Sequence, residues 1–428
     1  MDAVSDQRAA MGQRDHFIPV RKVDILSALT LDGGLPGEPE RDKFRQLCRL
    51  LGAIFHYEYF DRLERLRDDY FFFNPDHDGH ARFNAATVER AYRSMVGALL
   101  QVLHGANFIE ISHAEIERAH REDAVIRVKI ETPMDDYREV RFFRRGHRRQ
   151  TIQISEWYGW RKREIEADVY DDVVLMVTMK NETGGATPGK RKSRAPRVRP
   201  GAVLLKYFRN IASADLNALF PDVRVVMGLR DKLVLGVPAL LGGIPILLKV
   251  ASTVTVLFLV AGFYLGVSSA VRDDEVAAAL AGLSGLIALG GFIVRQWVKF
   301  QRQSLLYQKQ LADNVYFRNV NNNIGIFDYL IGAAEEQDCK EAFLAYCFLL
   351  APGPGPTKDE LDRRVEVWLA HAFGTEIDFE CDDAVAKLDR LGLLRRDGER
   401  LAVLPLDRAL ARLDEVWDDF FRYAGAAR

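Results

Sequence analysis

At 428 residues the chain has room for roughly two or three domains, and its composition, 48% hydrophobic and 28% charged, is that of a globular protein. A formal net charge of −2 gives no general electrostatic case for nucleic acid. Cys48, Cys339, Cys347 and Cys381 are scattered, with no CxxC pair, which excludes a disulfide framework and a cysteine zinc site and reads as reduced thiols.

The first residues, MDAVSDQRAAMGQRDHF, lack an apolar core and carry Asp2 and Asp6, so they read as neither a secretory signal nor a mitochondrial presequence. Phe17–Lys22 opens the ordered part and a short helix runs to Leu29. A Gly- and Pro-rich loop (Gly33, Gly34, Pro36, Gly37, Pro39) follows. From Arg41 to Tyr70 the residues Phe44, Leu47, Leu51, Ile54, Phe55, Tyr59, Leu63 and Leu66 keep a three-to-four spacing that predicts one long amphipathic helix. Asn84 is placed to cap a second helix, Asn84–His104.

Asn74-Pro75-Asp76-His77-Asp78-Gly79 opens like a calcium loop, but its closing position holds Ala85 instead of a bidentate acid. It reads as an Asn/Asp-rich turn. His113, Glu117 and His120 share a helical face at a spacing that does not match HExxH, and they read as ordinary surface residues. No metal and no cofactor is expected.

The apolar period changes to two over Ala124–Glu131. Further strands are predicted at Arg138–Phe143, Gln150–Ser155, Val173–Met179 and Ala202–Phe208. The result is an α+β domain over residues 1–228, with N-terminal helices beside a mostly antiparallel sheet. Its Gly- and Pro-rich loop, Asn181–Gly201, concentrates Lys190, Arg191, Lys192, Arg194, Arg197 and Arg199. Beside a membrane these six would contact anionic lipid, each basic residue gaining about 1 kcal/mol near the surface.

Residues 233–298 read as a membrane region. Val250–Val271 and Val276–Val294 are uncharged runs near the ~20 residues that span a bilayer, joined by Arg272-Asp273-Asp274-Glu275 as a two-span helical hairpin. Gly262 with Gly266, Ala278 with Gly282 and Ala281 with Gly285 have the spacing of close helix–helix contacts. Leu233–Leu248, broken by Gly236, Pro238, Gly242, Gly243 and Pro245, reads as a re-entrant or interfacial segment. Arg224, Arg230, Lys232 and Lys249 precede the pair, and Arg295, Lys299, Arg302 and Lys309 follow it, which predicts an integral membrane protein with both termini cytoplasmic. The membrane would be the inner one in a bacterium, or a mitochondrial one in an organelle.

Residues 299–350 read as a helical extension, with helices at Trp297–Val320 and Glu335–Leu350 and the asparagines Asn319 and Asn321–Asn323 as a stop between them. Pro352, Pro354 and Pro356 make a stiff linker. Thr357 and Glu360 form a capping box for a helix, Asp382 or Asp383 caps another, and Leu393–Val403 reads as a hairpin about Asp397-Gly398. Helix, strand, helix and β-wing give a winged-helix-like domain over 357–428. From Ala351 to Arg428 there are 12 Lys and Arg against 17 Asp and Glu, a net of −5, which argues against DNA as its ligand.

Short motifs distributed over most of the chain carry a resemblance. They are Ile18-Pro19-Val20-Arg21, Tyr70 with Asn74-Pro75-Asp76, Phe208-Arg209-Asn210-Ile211, Ala214-Asp215-Leu216, Phe220-Pro221, Lys340-Glu341-Ala342 and Ala345-Tyr346. With them the chain resembles an uncharacterised membrane-protein family, a domain of unknown function, that includes transmembrane protein 143. The resemblance implies two spans near the middle, a mitochondrial relative and no particular reaction.

No Ser-His-Asp pattern, glycine-rich phosphate loop or HExxH occurs, so the chain reads as no enzyme. The expected function is a membrane-anchored scaffold or regulator, binding protein or lipid through its cytosolic domains. Its partners are then the membrane and other proteins, not nucleic acid, and oligomer formation is open. The alternatives are an enzyme acting on membrane lipid without a familiar motif, and an oligomeric pore or transporter component.

Overall fold

The computed structural model describes residues 15–420, apart from 33–34, 78–83, 113, 117–128, 132–135, 157–160, 181–197, 222–223, 227–257, 259–260, 263–264, 267–272 and 352. Residues 1–122, 134–214 and 318–428 form one compact unit, and 123–133 and 215–317 form a second.

In the first unit, α1 (Lys22–Asp32) leads into α2 (Gly37–Tyr70). The three-to-four spacing read from the sequence is the buried face of α2: Phe44, Leu47, Leu51, Ile54, Phe55, Tyr59, Leu63, Leu66 and Tyr70. In α3 (Ala85–Gly105), Asn84 caps the N-terminus, its side-chain oxygen accepting from the Ala86 amide at 3.1 Å.

The sheet comprises β1 (Ile109–Glu110), β3 (Tyr137–Glu156), β4 (Arg161–Met179), β5 (Val203–Ala212) and β7 (Asn319–Asn322). Its order is β1-β3-β4-β5-β7 and every neighbouring pair is antiparallel. Arg138–Phe143 and Gln150–Ser155, expected as two strands, are one 20-residue strand. The asparagines expected only to stop a helix form the edge strand β7, and Asn323 turns the chain with φ +51°.

The element at the centre of this unit is α5 (Gly325–Leu349). Seventeen of its 25 residues are buried, and from Gln337 to Cys347 every residue is, so this half is a core segment covered on all sides. It packs against α1, α2 and α3, and against α6 (Lys358–Phe373), α7 (Cys381–Arg390) and strand β9 (Arg400–Val403). Tyr70 and Phe327 meet edge-to-face at 5.1 Å, and Phe44 and Tyr346 stack at 6.4 Å.

Thr357 and Glu360 form the capping box of α6. Strand β8 (Leu394–Asp397) pairs with β9 and closes on Asp397↔Arg400, so the two-residue turn is Gly398-Glu399, one position beyond the expected Asp397-Gly398. Thr357 bridges to Arg400 on the other edge of the hairpin. A Cβ at Gly355 would lie 1.8 Å from the Leu401 carbonyl oxygen, so only glycine lets the proline-rich link lie against β9. The last helix, α8 (Leu406–Asp419), returns to α2, where Tyr57 and Phe420 pack at 4.7 Å.

The second unit contains β2 (Lys129–Glu131), paired antiparallel with β6 (Arg224–Val226), and the helix α4 (Asp273–Arg318). Here the expected two-span transmembrane hairpin is corrected. Among the described residues, no helix is long and apolar enough to cross a membrane. Val276–Val294 is the opening part of a 46-residue helix that continues through Arg295, Lys299, Arg302 and Lys309. Nine of the residues in that opening part are Ala or Gly, and these contribute the least apolar surface per residue. Of Val250–Val271, only 258, 261, 262, 265 and 266 are described, and Leu233–Leu248 lies outside the described residues. The α+β class with an antiparallel sheet stands. The membrane-spanning part of the expectation, together with integral membrane location and cytoplasmic termini, has no support and is set aside.

Candidate functional site

Near the middle of α5, the sequence Gln337-Asp338-Cys339-Lys340-Glu341 puts four polar side chains into the core, with Asp338 7%, Lys340 3% and Glu341 1% exposed. Burying charge is costly unless it is paired and hydrogen-bonded. The pairing comes from α7. A helix places residues three or four apart on one face, so Asp338 and Glu341 meet Asp383 and Lys387 across the α5–α7 contact. The Lys387 ammonium lies 2.6 Å from Asp338, 2.5 Å from Glu341 and 2.7 Å from Asp383, and it donates a hydrogen bond to Glu341. The Tyr59 hydroxyl of α2 donates to Asp338 at 2.8 Å. Asn107 donates both to Glu341 at 3.1 Å and to the His16 carbonyl at 2.9 Å.

One ammonium serves three acids, and the protonation states follow. Burial pushes Glu341 up to about 7 against the opposing pull of Lys387, and it also raises Asp338. For Lys387, burial alone would lower the pKa, but Glu341, Asp338 and Asp383 together raise it. Asp338, Glu341 and Asp383 are close enough to hold a metal ion, and the ammonium of Lys387 stands among them. A second acidic group, Asp362, Glu366 and Asp378, lies between α6 and the segment leading to α7. Burial and the neighbouring acids lift Asp362 to about 6, and Glu366 accepts from the Phe379 amide at 3.2 Å.

The opposite side of α7 is open. With the start of α6 and the β8–β9 hairpin it forms a groove of about 890 Å³, floored by Val385, Ala386 and Leu401. Its three bases are already committed. Lys358 pairs with Asp382 at 2.8 Å, Arg396 with Asp389 at 3.0 Å, and Arg390 with Glu58 of α2, where Nη2 donates at 3.0 Å. Asp359 and Glu399 line the same groove with no ion-pair partner among the described residues. The lining holds Lys358, Arg390 and Arg396 against Asp359, Asp382, Asp389 and Glu399, an excess of one acid.

Elsewhere the N-terminal segment is clasped to the core. Arg145 of β3 is 6% exposed, donates through Nε to Asp172 at 3.0 Å, and stands over the rings of Phe17 at 4.4 Å and Phe108 at 4.7 Å. Gln337 brackets Ile18, accepting from its amide at 3.3 Å and donating to its carbonyl at 3.2 Å.

Of the six residues expected to contact anionic lipid, Arg199 alone is among the described residues. Its guanidinium donates to the carbonyls of Phe72 at 2.7 Å and Asn74 at 3.2 Å, which commits it to the segment following α2. Lys190, Arg191, Lys192, Arg194 and Arg197 lie outside the described residues, as do His113, Glu117 and His120. The Asn74 turn is a clasp: Asn74 accepts from the Asp76 amide at 3.1 Å, and Asp76 accepts from Asn323 at 2.9 Å. The sequence reading missed Asp338, Glu341 and Lys387. The available signal was a charged patch, Asp338-Cys339-Lys340-Glu341, set between apolar residues of a helix too hydrophobic to be solvated.

A family described as proteins of unknown function (DUF3754) matches residues 170–325, so the chain carries that domain of unknown function. The matched span runs from the later part of β4 through β5, β6, α4 and β7. The buried network and the α7 groove lie beyond it. No solved structure matches the chain.

Proposed function

We propose that this protein is a docking module whose α7 groove takes an extended, cationic segment of a partner protein. The observation that carries the reading is the state of the groove's charges. Each of its bases is held by an acid of this protein, while Asp359 and Glu399 are left facing outward. A phosphate backbone needs uncommitted Lys and Arg, and α7 begins Cys381-Asp382-Asp383, with acids where a DNA-reading helix meets base edges. A polypeptide needs an apolar floor with a polar rim, and the groove has both. The winged-helix-like order of α6, α7 and the β8–β9 hairpin therefore serves protein docking in this reading. No catalytic role is proposed.

Kinship with the uncharacterised family that includes transmembrane protein 143 is also part of this proposal. Phe208-Arg209-Asn210-Ile211 and Ala214-Asp215-Leu216 support it, because they fall within the matched span. It assigns no activity.

The test is fluorescence anisotropy with the full chain and labelled decapeptides that are Lys/Arg-rich, neutral or acidic. The cationic peptides bind, and the double change Asp359→Asn with Glu399→Gln weakens them at least about fivefold, as loss of rim charges does. Random duplex DNA does not compete at physiological salt. Salt-sensitive binding of that duplex, or cationic-peptide affinity indifferent to the double change, refutes the reading.

A further inference from the structure

Residues 15–18 form no helix or strand, and their main chain is held by groups far away in sequence but within the same unit. The Ile18 amide donates to Gln337 of α5 at 3.3 Å. The Ile18 carbonyl accepts from Gln337 at 3.2 Å and from Lys340 at 3.1 Å. The His16 carbonyl accepts from Asn107 at 2.9 Å, and the Asp15 carbonyl accepts from the Asp378 amide at 3.2 Å. His16 returns that contact, its Nδ1 donating to the Asp378 carbonyl at 2.9 Å. Ties to the main chain, with side chains selecting, are how proteins hold an extended peptide. Here the Ile18 side chain is 0% exposed, and Phe17 lies under Arg145 at 4.4 Å and Lys340 at 5.9 Å. Pro19 follows and restricts Ile18 to extended backbone.

Most of the gripping groups do not depend on the segment for their own positions. Lys340 is also paired with Glu336 at 2.9 Å, Asn107 donates to Glu341 at 3.1 Å, and Arg145 donates to Asp172 at 3.0 Å. A second bond thus anchors each of these three in the body of the protein, and they stay aimed when the segment leaves. Such preorganisation is what a binding site needs and ordinary core packing does not. Gln337 spends both ends of its amide on the Ile18 main chain, a contact blind to the side chain. The segment itself is less deeply set. Asp15, His16 and Phe17 are half-buried and Pro19 is exposed. Stretches with few buried apolar contacts open locally while the rest stays folded.

We infer that Asn107, Arg145, Gln337 and Lys340 form a recognition slot for an extended peptide with an aromatic residue followed by a branched aliphatic one. The slot is filled in cis by Phe17-Ile18, and this segment is a latch that opens locally and exchanges with a peptide of the same pattern. The latch also holds Asp378, so its leaving frees the stretch that leads into α7. None of these residues lines the α7 groove, and the inference does not rest on the docking reading.

Two measurements on the full chain test this. In hydrogen exchange, the amides of Ile18 and Asp378, both bonded across the latch, should exchange at least about tenfold faster than those of residues 342–347 in α5. The second measurement is fluorescence anisotropy with a labelled peptide copied from residues 15–21. A seated latch lowers the apparent affinity of its slot to the fraction that is open. Ile18→Ala loosens the latch and leaves the slot intact, so that chain should bind the peptide at least about tenfold more tightly than the native one. Adding Gln337→Leu should cancel the gain, and the same peptide carrying Ile18→Asp should not bind at about 100 µM. Adding Asp359→Asn and Glu399→Gln should leave the gain unchanged; if they cancel it, the peptide sits in the α7 groove and the slot is refuted. An Ile18→Ala chain that is folded by circular dichroism yet binds the peptide no better than the native chain overturns the inference. Exchange of the two amides no faster than that of α5 also overturns it. Should Ile18→Ala fail to fold, the exchange measurement on the native chain decides.

Discussion

Lys387→Met removes the ammonium that faces the three carboxylates of Asp338, Glu341 and Asp383. Met approximates the length of the lysine stem, so the change deletes charge more than volume. Lys387 is 7% exposed and Glu341 1%, so water cannot take over the lost pairing. Removing one partner of a buried pair costs about 3–5 kcal/mol, because the other charge stays behind. That is a large part of the roughly 5–15 kcal/mol that holds a typical domain together.

The loss has a pH signature. In the native protein Glu341 titrates at about 7 against an ordinary 4.5. Between those values the folded state holds a proton that the unfolded chain has released, so stability falls as pH rises through the window. The whole difference, roughly 2.5 in pKa, corresponds to about 3 kcal/mol. Without Lys387 the carboxyls have a stronger preference for the neutral form, and the fall with pH becomes steeper. Urea unfolding followed by circular dichroism should therefore show Lys387→Met to be more damaging at about pH 7.5 than at about pH 5. Adding Asp338→Asn and Glu341→Gln should recover much of the loss, since the two buried acids are then neutral and only the partly exposed Asp383 keeps its charge. A loss below about 1 kcal/mol at the higher pH, or an equal loss at both, would show that the cage is not electrostatically closed.

Tyr59→Phe deletes the hydroxyl that donates to Asp338 at 2.8 Å while keeping the ring. It should cost about 1–2 kcal/mol in the same unfolding assay, and no measurable change would mean that water replaces the hydroxyl. Asn323 has φ +51°, donates to Asp76 at 2.9 Å and accepts from the Leu205 amide at 3.4 Å. Asn323→Ala should lower stability by about 2 kcal/mol, whereas Asn323→Gly, which keeps the backbone freedom, should lose less. Equal losses would place the whole effect in the hydrogen bonds.

Most elements with one buried face were legible in the sequence, and elements without one were not. In α2 a solvated side alternates with a core side, so Phe44 through Leu66 announced the helix. The opening of α5 was hidden because Asn321–Gly325 looked like a simple stop, although Ile326, Phe327, Leu330, Ile331 and Ala334 form a buried face there opposite the exposed Asp328 and Tyr329. The first part of β4, Arg161 to Asp168, carries six charged residues in eight, and only Ile165 and Ala167 there are uncharged. It extends beyond the rest of the sheet, and its charges leave no apolar alternation for the sequence to show. The hydrophobic stretches near the middle were read by length and lack of charge, and that measure alone could not show that Val276–Val294 continues as a longer charged helix. The buried cage was invisible for a different reason. Tyr59, Asp338, Glu341 and Lys387 come from three separated helices, and each looks like an ordinary solvated residue until α5 is known to be covered.

The cage and the groove are two sides of one helix, and that explains how α7 can present an acidic face. Asp382, Asp383 and Asp389 on a ten-residue helix repel one another, and a helix this short has little stability of its own. Each charge is instead tied to a different neighbour: Asp383 with Lys387 into the α5 cage, Asp382 to Lys358 of α6, Asp389 to Arg396 of β8, and Arg390 to Glu58 of α2. The helix is thereby fixed on four sides, and the same ties use up the bases that a nucleic-acid surface would need free. The acids left without ties, Asp359 and Glu399, stand off α7 on the flanking elements. On the docking proposal, a partner in the groove would meet Val385, Ala386 and Leu401 as floor and Asp359 and Glu399 at the rim, the arrangement in which rim residues set the rate and choice of partner while the floor sets the fit.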